Sequence, residues 1–123
     1  MKIKISELTG AALDWAVAKC NAVPNVHIVN KPDKICVYGE VAGVDFPYQP
    51  STDWSQGGPI IGGIEGSVFK HWPESNREDQ CHAEIHNEDG DWIAFGPTEL
   101  VARLRCYVAS KMGDNVDVPE GLS

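Results

Sequence analysis

The segment from Tyr48 to Ile61, Tyr-Gln-Pro-Ser-Thr-Asp-Trp-Ser-Gln-Gly-Gly-Pro-Ile-Ile, constrains this chain more than any other. Pro50 and Pro59 lock φ and withdraw amide donors, while Gly57 and Gly58 open backbone conformations that other residues avoid. Ser51, Thr52 or Asp53 can cap a short turn, and Trp54 brings a large apolar face with a single donor. A segment written this way holds one shape, and shaped loops carry function. Seven of the 12 glycines (Gly39, Gly43, Gly57, Gly58, Gly62, Gly63 and Gly66) fall between residues 39 and 66, where periodic signals are few. The reading is a long ordered loop rich in Gly and Pro.

Regular elements flank it. Ser6 and Thr9 are both N-cap candidates, and Leu13, Ala16, Val17 and Cys20 share one helical face. Trp15, Ala11 and Ala18 make a second apolar flank, so this first helix should be mostly covered until Pro24 stops it. Val26–Val29 and Ile35–Tyr38 read as a hairpin about Asn30–Lys34. A strand is expected over Val68–Trp72, and a second hairpin over Cys81–His86 and Trp92–Phe95, turned by Asp89-Gly90. A second helix begins at Pro97 or Thr98 and stops at Gly113. Leu100, Val101, Leu104, Tyr107, Val108 and Met112 form its apolar arc, with Ala102, Cys106 and Ala109 as a small-residue flank. In the acidic tail 114–123, Val116 and Val118 alternate as an edge strand or docked arm would. The expected fold is α+β: one domain over residues 1–123, two helices on a small, mainly antiparallel sheet, and the long loop.

Composition narrows the function classes. With 18 acidic residues against 10 Lys and Arg, the net charge of −8 argues against direct nucleic-acid binding, because no local concentration of bases offsets it. No apolar run is long enough for a membrane span. The N-terminus lacks a signal-peptide core, which places the protein in the cytoplasm. Cys20, Cys36, Cys81 and Cys106 are widely spaced and without a C-x-x-C pair, as expected of reduced thiols acting as small core residues.

Three residues offer chemistry. On a strand from 81 to 86, His82, Glu84 and His86 share one face and could hold a divalent metal with open positions. An ordinary solvated strand face has the same pattern. His82-Ala-Glu84 echoes the H-x-E of zinc deaminases, but no P-C-x-x-C follows to supply the thiolates. There is no G-x-S-x-G elbow, and the glycine pairs lack the Lys-Ser or Lys-Thr of a phosphate cradle. Trp54 and Trp72 are either interface anchors or plugs of a small core.

Three longer stretches carry a family resemblance: Ser6–Lys19 (Ser-Glu-Leu-Thr-Gly-Ala-Ala-Leu-Asp-Trp-Ala-Val-Ala-Lys), Tyr48–Ile61, and Leu104–Pro119 (Leu-Arg-Cys-Tyr-Val-Ala-Ser-Lys-Met-Gly-Asp-Asn-Val-Asp-Val-Pro). Together they resemble the NinX-like family of small proteins encoded by tailed phages and prophages. The region from about Ser67 to Asp91 carries little of it. The resemblance implies a phage accessory protein in the cytoplasm of the bacterial host and brings no catalytic residues with it.

The leading expectation is a non-enzymatic protein without a cofactor, binding a host or phage protein through Tyr48, Thr52, Asp53, Trp54 and Gln56. One alternative is a metal-dependent hydrolase or nuclease using His82, Glu84 and His86. The other is an acidic nucleic-acid mimic. In that reading Glu74, Glu78, Asp79, Glu84, Glu88, Asp89 and Asp91, facing only Arg77, would occupy a DNA-binding protein.

Overall fold

The helix from Glu99 to Met112 is the axis of the molecule, because its residues are buried on nearly every side: Leu100, Val101, Ala102, Leu104, Arg105, Cys106, Val108 and Ala109. In the computed structural model, which describes residues 1–64, 66–71 and 80–122, the elements run as follows. Strand β1 (Lys2–Lys4) leads through a 3₁₀ turn (Ile5–Glu7) to helix α1 (Gly10–Cys20). Strands β2 (His27–Asn30), β3 (Ile35–Val41) and β4 (Val44–Pro47) precede helix α2 (Trp54–Gly62). Strands β5 (Ser67–His71), β6 (Cys81–Asn87) and β7 (Gly90–Gly96) come before helix α3 (Glu99–Met112) and strand β8 (Asn115–Asp117).

The fold is α+β, with three helices and three small antiparallel sheets among the described residues: β1–β8, β2–β3–β4 and β5–β6–β7. The single sheet and two helices expected from sequence are thus corrected to three of each. Both expected hairpins form, the second in the register His86 opposite Asp91 and Asn87 opposite Gly90. The docked arm forms too. Val116 lies opposite Ile3, and Met1 and Val118 exchange two hydrogen bonds, which draws the chain ends together. The strand anticipated over Val68–Trp72 runs Ser67–His71; Trp72 lies outside the described residues.

Two sides of α3 do different work. Leu104 and Val108 meet Leu8, Leu13 and Val17 in the larger core, while Ala102 and Cys106 meet Cys81, Ala83, Ile85 and Ala94 of the β5–β7 sheet. The small-residue flank lets the sheet come close. At Gly96 an added Cβ would sit 2.6 Å from the Ala102 amide nitrogen, so β7 ends where a side chain would not fit. Thr98 caps the helix by accepting from the Val101 amide at 3.1 Å, and Gly113 ends it at φ +88°. Pro97 stands just before the cap.

The segment read as one long loop contains the β3–β4 hairpin and α2. By local propensity α2 is a poor helix, with Gly57, Gly58 and Pro59 in its interior. Contacts from outside the helix hold it. A Cβ on Gly57 would lie 2.3 Å from the Pro50 carbonyl oxygen and 2.7 Å from a Leu100 methyl, so glycine is required for α2 to pack on α3.

Arg105 is a charged residue within this core, 5% exposed. Its Nε donates to the Leu8 carbonyl and its Nη1 to the Phe95 carbonyl, both at 2.7 Å. One side chain therefore ties α3 to the N-terminal segment and to β7. Arg105→Met keeps the bulk but removes both charge-assisted donors, and is expected to cost about 3 kcal/mol in urea unfolding. Arg103→Met, which loses a partly solvated i,i+4 pair with Glu99, should cost less than about 1 kcal/mol by the same measurement.

Candidate functional site

The turn entering α2 is braced by hydrogen bonds that leave one aromatic ring outside. The Thr52 and Asp53 amides donate back to the Gln49 carbonyl. Asp53 occupies the N-cap, and its Oδ1 accepts from the Ser55 amide at 2.9 Å and the Ser55 hydroxyl at 2.6 Å, which holds its carboxyl below the usual range. Gln56 reaches back across the turn. Its Oε1 accepts from the Gln49 amide at 2.6 Å and its Nε2 donates to the Pro47 carbonyl at 2.7 Å. Trp54, the first residue of the helix, is 53% exposed and lies against Gly58 one turn on.

The five residues singled out from sequence thus divide. Thr52, Asp53 and Trp54 are contiguous and face outward. Tyr48 is buried, its hydroxyl accepting from Asn21 Nδ2 at 3.2 Å while Asn21 Oδ1 accepts from the Tyr107 hydroxyl at 2.6 Å. Gln56 spends its amide on the backbone. Tyr48 and Gln56 therefore support the surface instead of forming it. Trp54 is not the core plug that its sequence context equally allowed.

Beneath the same turn lies a pocket of about 270 Å³ between α1, β3 and residues 49–52. Asp14 of α1 lines it at 4% exposure, its Oδ1 accepting from the Ser51 amide at 2.8 Å. Burial pushes the Asp14 carboxyl up to about 6 against the lowering pull of the Ser51 amide. The Ser51 hydroxyl is close enough to favour the ionised form, yet it is buried without a partner of hydrogen-bonding geometry. Sequence reading passed over Asp14. The available signal was a lone acid in the otherwise uncharged run Gly10–Ala18 of a helix expected to be covered.

In the β5–β7 sheet, His82, Glu84 and His86 do share one face of β6. Glu84 stands between Val68 of β5 and Ile93 of β7, both exposed. Its two oxygens each lie 3.0 Å from an imidazole Nε2, Oε2 toward His82 and Oε1 toward His86. His86 Nδ1 is 2.8 Å from Asp91, and the Phe95 ring meets His82 edge-on. The strand period brought the three together, but as a carboxylate set between two imidazoles. Among the described residues no group of three His, Cys, Asp or Glu side chains is arranged to hold a metal ion. Of the acids assigned to a nucleic-acid mimic, Glu84 faces the imidazoles and Glu88, Asp89 and Asp91 are exposed; Glu74, Glu78 and Asp79, with the base Arg77, lie outside the described residues.

A wider cleft of about 690 Å³ opens between the end of α2, the β6–β7 turn and α3, with Tyr107 and Lys111 on its wall. All four cysteines are free thiols. Burial pushes Cys20 up to about 11 and Cys106 up to about 12, which keeps both protonated and unreactive.

The described residues thus form an α+β domain that displays a capped, braced indole, and no described helix is long and apolar enough to cross a membrane. A family model described as "Bacteriophage P22, NinX" matches residues 4–111, and the chain belongs to that family of phage proteins. No curated protein matches it.

Two pH responses follow. A carboxyl that titrates near 6 instead of near 4 costs the fold roughly 3 kcal/mol once ionised, at about 1.4 kcal/mol per pH unit. The penalty is absent below about pH 4, grows up to about pH 6 and is constant above. Asp14→Asn still offers an oxygen to the Ser51 amide. Its thermal stability should exceed that of the wild type by up to about 3 kcal/mol at pH 8 and match it near pH 4. For His86, the hydrogen bonds to Asp91 and then Glu84 raise the imidazole above its usual value. The stability these contacts add is present at low pH and is lost as pH rises through the folded-state value. NMR titration should therefore give a His86 midpoint above about 6.5, and Asp91→Asn should lower it.

Proposed function

We propose that this phage accessory protein works by binding another protein, of the phage or of its host, in the bacterial cytoplasm, through the surface made by Thr52, Asp53 and Trp54, and without catalysis of its own. The observation that carries the reading is the 53% exposure of Trp54 on a backbone fixed by the Asp53 cap, the Gln56 bridge and the Gly57 contact. Leaving a large aromatic ring in water forgoes the burial that normally retains it, and interface anchors are enriched in Trp. The rigid turn removes the ordering cost that a flexible loop would meet on association. Thr52 and Asp53 add a polar rim beside the ring.

Tagged wild-type protein and Trp54→Ala, a substitution at an exposed position that should melt within about 2 °C of the wild type, are used to capture partners from lysate of phage-infected cells. Wild type should retain a discrete partner and Trp54→Ala should lose it at least ~10-fold, the cost of removing an aromatic anchor. Equal recovery by both proteins, or no partner with either, overturns the reading.

A further inference from the structure

We propose that the pocket between α1, β3 and residues 49–52 is a binding site for a small zwitterion, a free α-amino acid with an apolar side chain. Its ammonium group would meet Asp14 and Ser51, and its carboxylate the α1 N-terminus and Lys34. The site does not involve Trp54 and stands or falls apart from the protein-binding reading.

Four observations converge on this ligand. First, the pocket of about 270 Å³ falls just below the roughly 300–1,000 Å³ of drug-sized sites, so its occupant is small. Second, it holds a carboxyl and a hydroxyl at 3–4% exposure: Asp14, whose Oδ1 accepts from the Ser51 amide, and the Ser51 hydroxyl, which lies beside that carboxyl but has no partner of hydrogen-bonding geometry. A buried hydroxyl without a partner is an unmet hydrogen-bonding demand. A donor with several protons, such as an ammonium, meets both groups at once.

Third, the α1 N-terminus lines the same space through Gly10 and Ala11, and the Thr9 side chain at its N-cap makes no capping bond. First-turn amides have no partner inside their helix, and with the positive end of the helix dipole they favour an anion. Lys34, in the exposed turn between β2 and β3, adds a mobile positive charge at the pocket. Fourth, Ile35 and Val37 supply apolar wall, suited to an aliphatic side chain and not to a charged one.

The cost of the arrangement points the same way. An Asn at position 14 would satisfy the Ser51 amide equally well without a charge to desolvate. Asp14, ionised at neutral pH against the preference of its burial, therefore weakens the fold, as functional carboxylates often do.

The test is a ¹⁵N–¹H correlation titration of the full chain with free leucine, valine, aspartate and lysine, and with N-acetyl-leucine and leucinamide. Leucine or valine should give saturable shifts confined to the amides of Gly10, Ala11, Ser51 and Thr52, with Kd below roughly 1 mM. Blocking the amine or the carboxylate should weaken binding by at least ~10-fold. Asp14→Asn should abolish it with the rest of the spectrum unchanged, and Lys34→Glu, on an exposed turn, should weaken it ~3-fold or more by removing the charge that attracts the carboxylate. The proposal is overturned by an absence of saturable shifts up to about 10 mM, by shifts outside the pocket, by equal binding of blocked and free leucine, or by unchanged binding to both variants.

Discussion

The guanidinium of Arg105 sits where three parts of the chain must meet, and its two carbonyl acceptors fix how they meet. Leu8 closes the N-terminal segment and Phe95 belongs to the last strand before α3. With the charge buried, any shift that broke one of these bonds would take away part of the cation's solvation, which low-dielectric surroundings penalise. The apolar residues around it supply the driving force but little direction. Leu104, Val108, Leu13 and Val17 would bury similar area in several arrangements. The arginine favours the one in which the Leu8 and Phe95 carbonyls both reach its guanidinium.

The α2 turn depends on that frame. Gly57 can press on the Pro50 carbonyl only because Leu100 of α3 holds the other side, and Asp14 can reach the Ser51 amide only because α1 is seated on α3. One short segment then has two faces. Outward it shows Trp54, which leaves about half of its surface in water. Inward it walls a pocket whose carboxyl is disfavoured by its own burial. Both are departures from the arrangement that would be most stable, and they lie within a few residues of each other on a backbone too well braced to relax them.

The outer face of β6 shows how far strand periodicity carries. Alternation correctly set His82, Glu84 and His86 together, since residues two apart must share a face. It could not say where the donors point. That depends on cross-strand neighbours: Asp91 takes one nitrogen of His86, and Phe95 lies edge-on to His82. These neighbours are set opposite the two histidines by the register of the β6–β7 hairpin. Trp54 was legible as a notable residue in a shaped segment. That Tyr48 beside it would be buried, with its hydroxyl on Asn21, was not, because Asn21 belongs to the end of α1.

Local chemistry by itself determined the α+β class, both hairpins, the span and caps of α3 and the alternation of Val116 and Val118 in the C-terminal arm. Each of these rests on interactions between residues close in sequence or on simple alternation of apolar positions. Only the tertiary structure decided that Trp-Ser-Gln-Gly-Gly-Pro-Ile-Ile-Gly would be a helix, that Arg105 and Asp14 would be buried, and that a pocket would open under Ser51. The physical reason is common to all three. Each sets a local preference, for loop or for solvent, against contacts made with elements tens of residues away, and the distant contacts are the stronger.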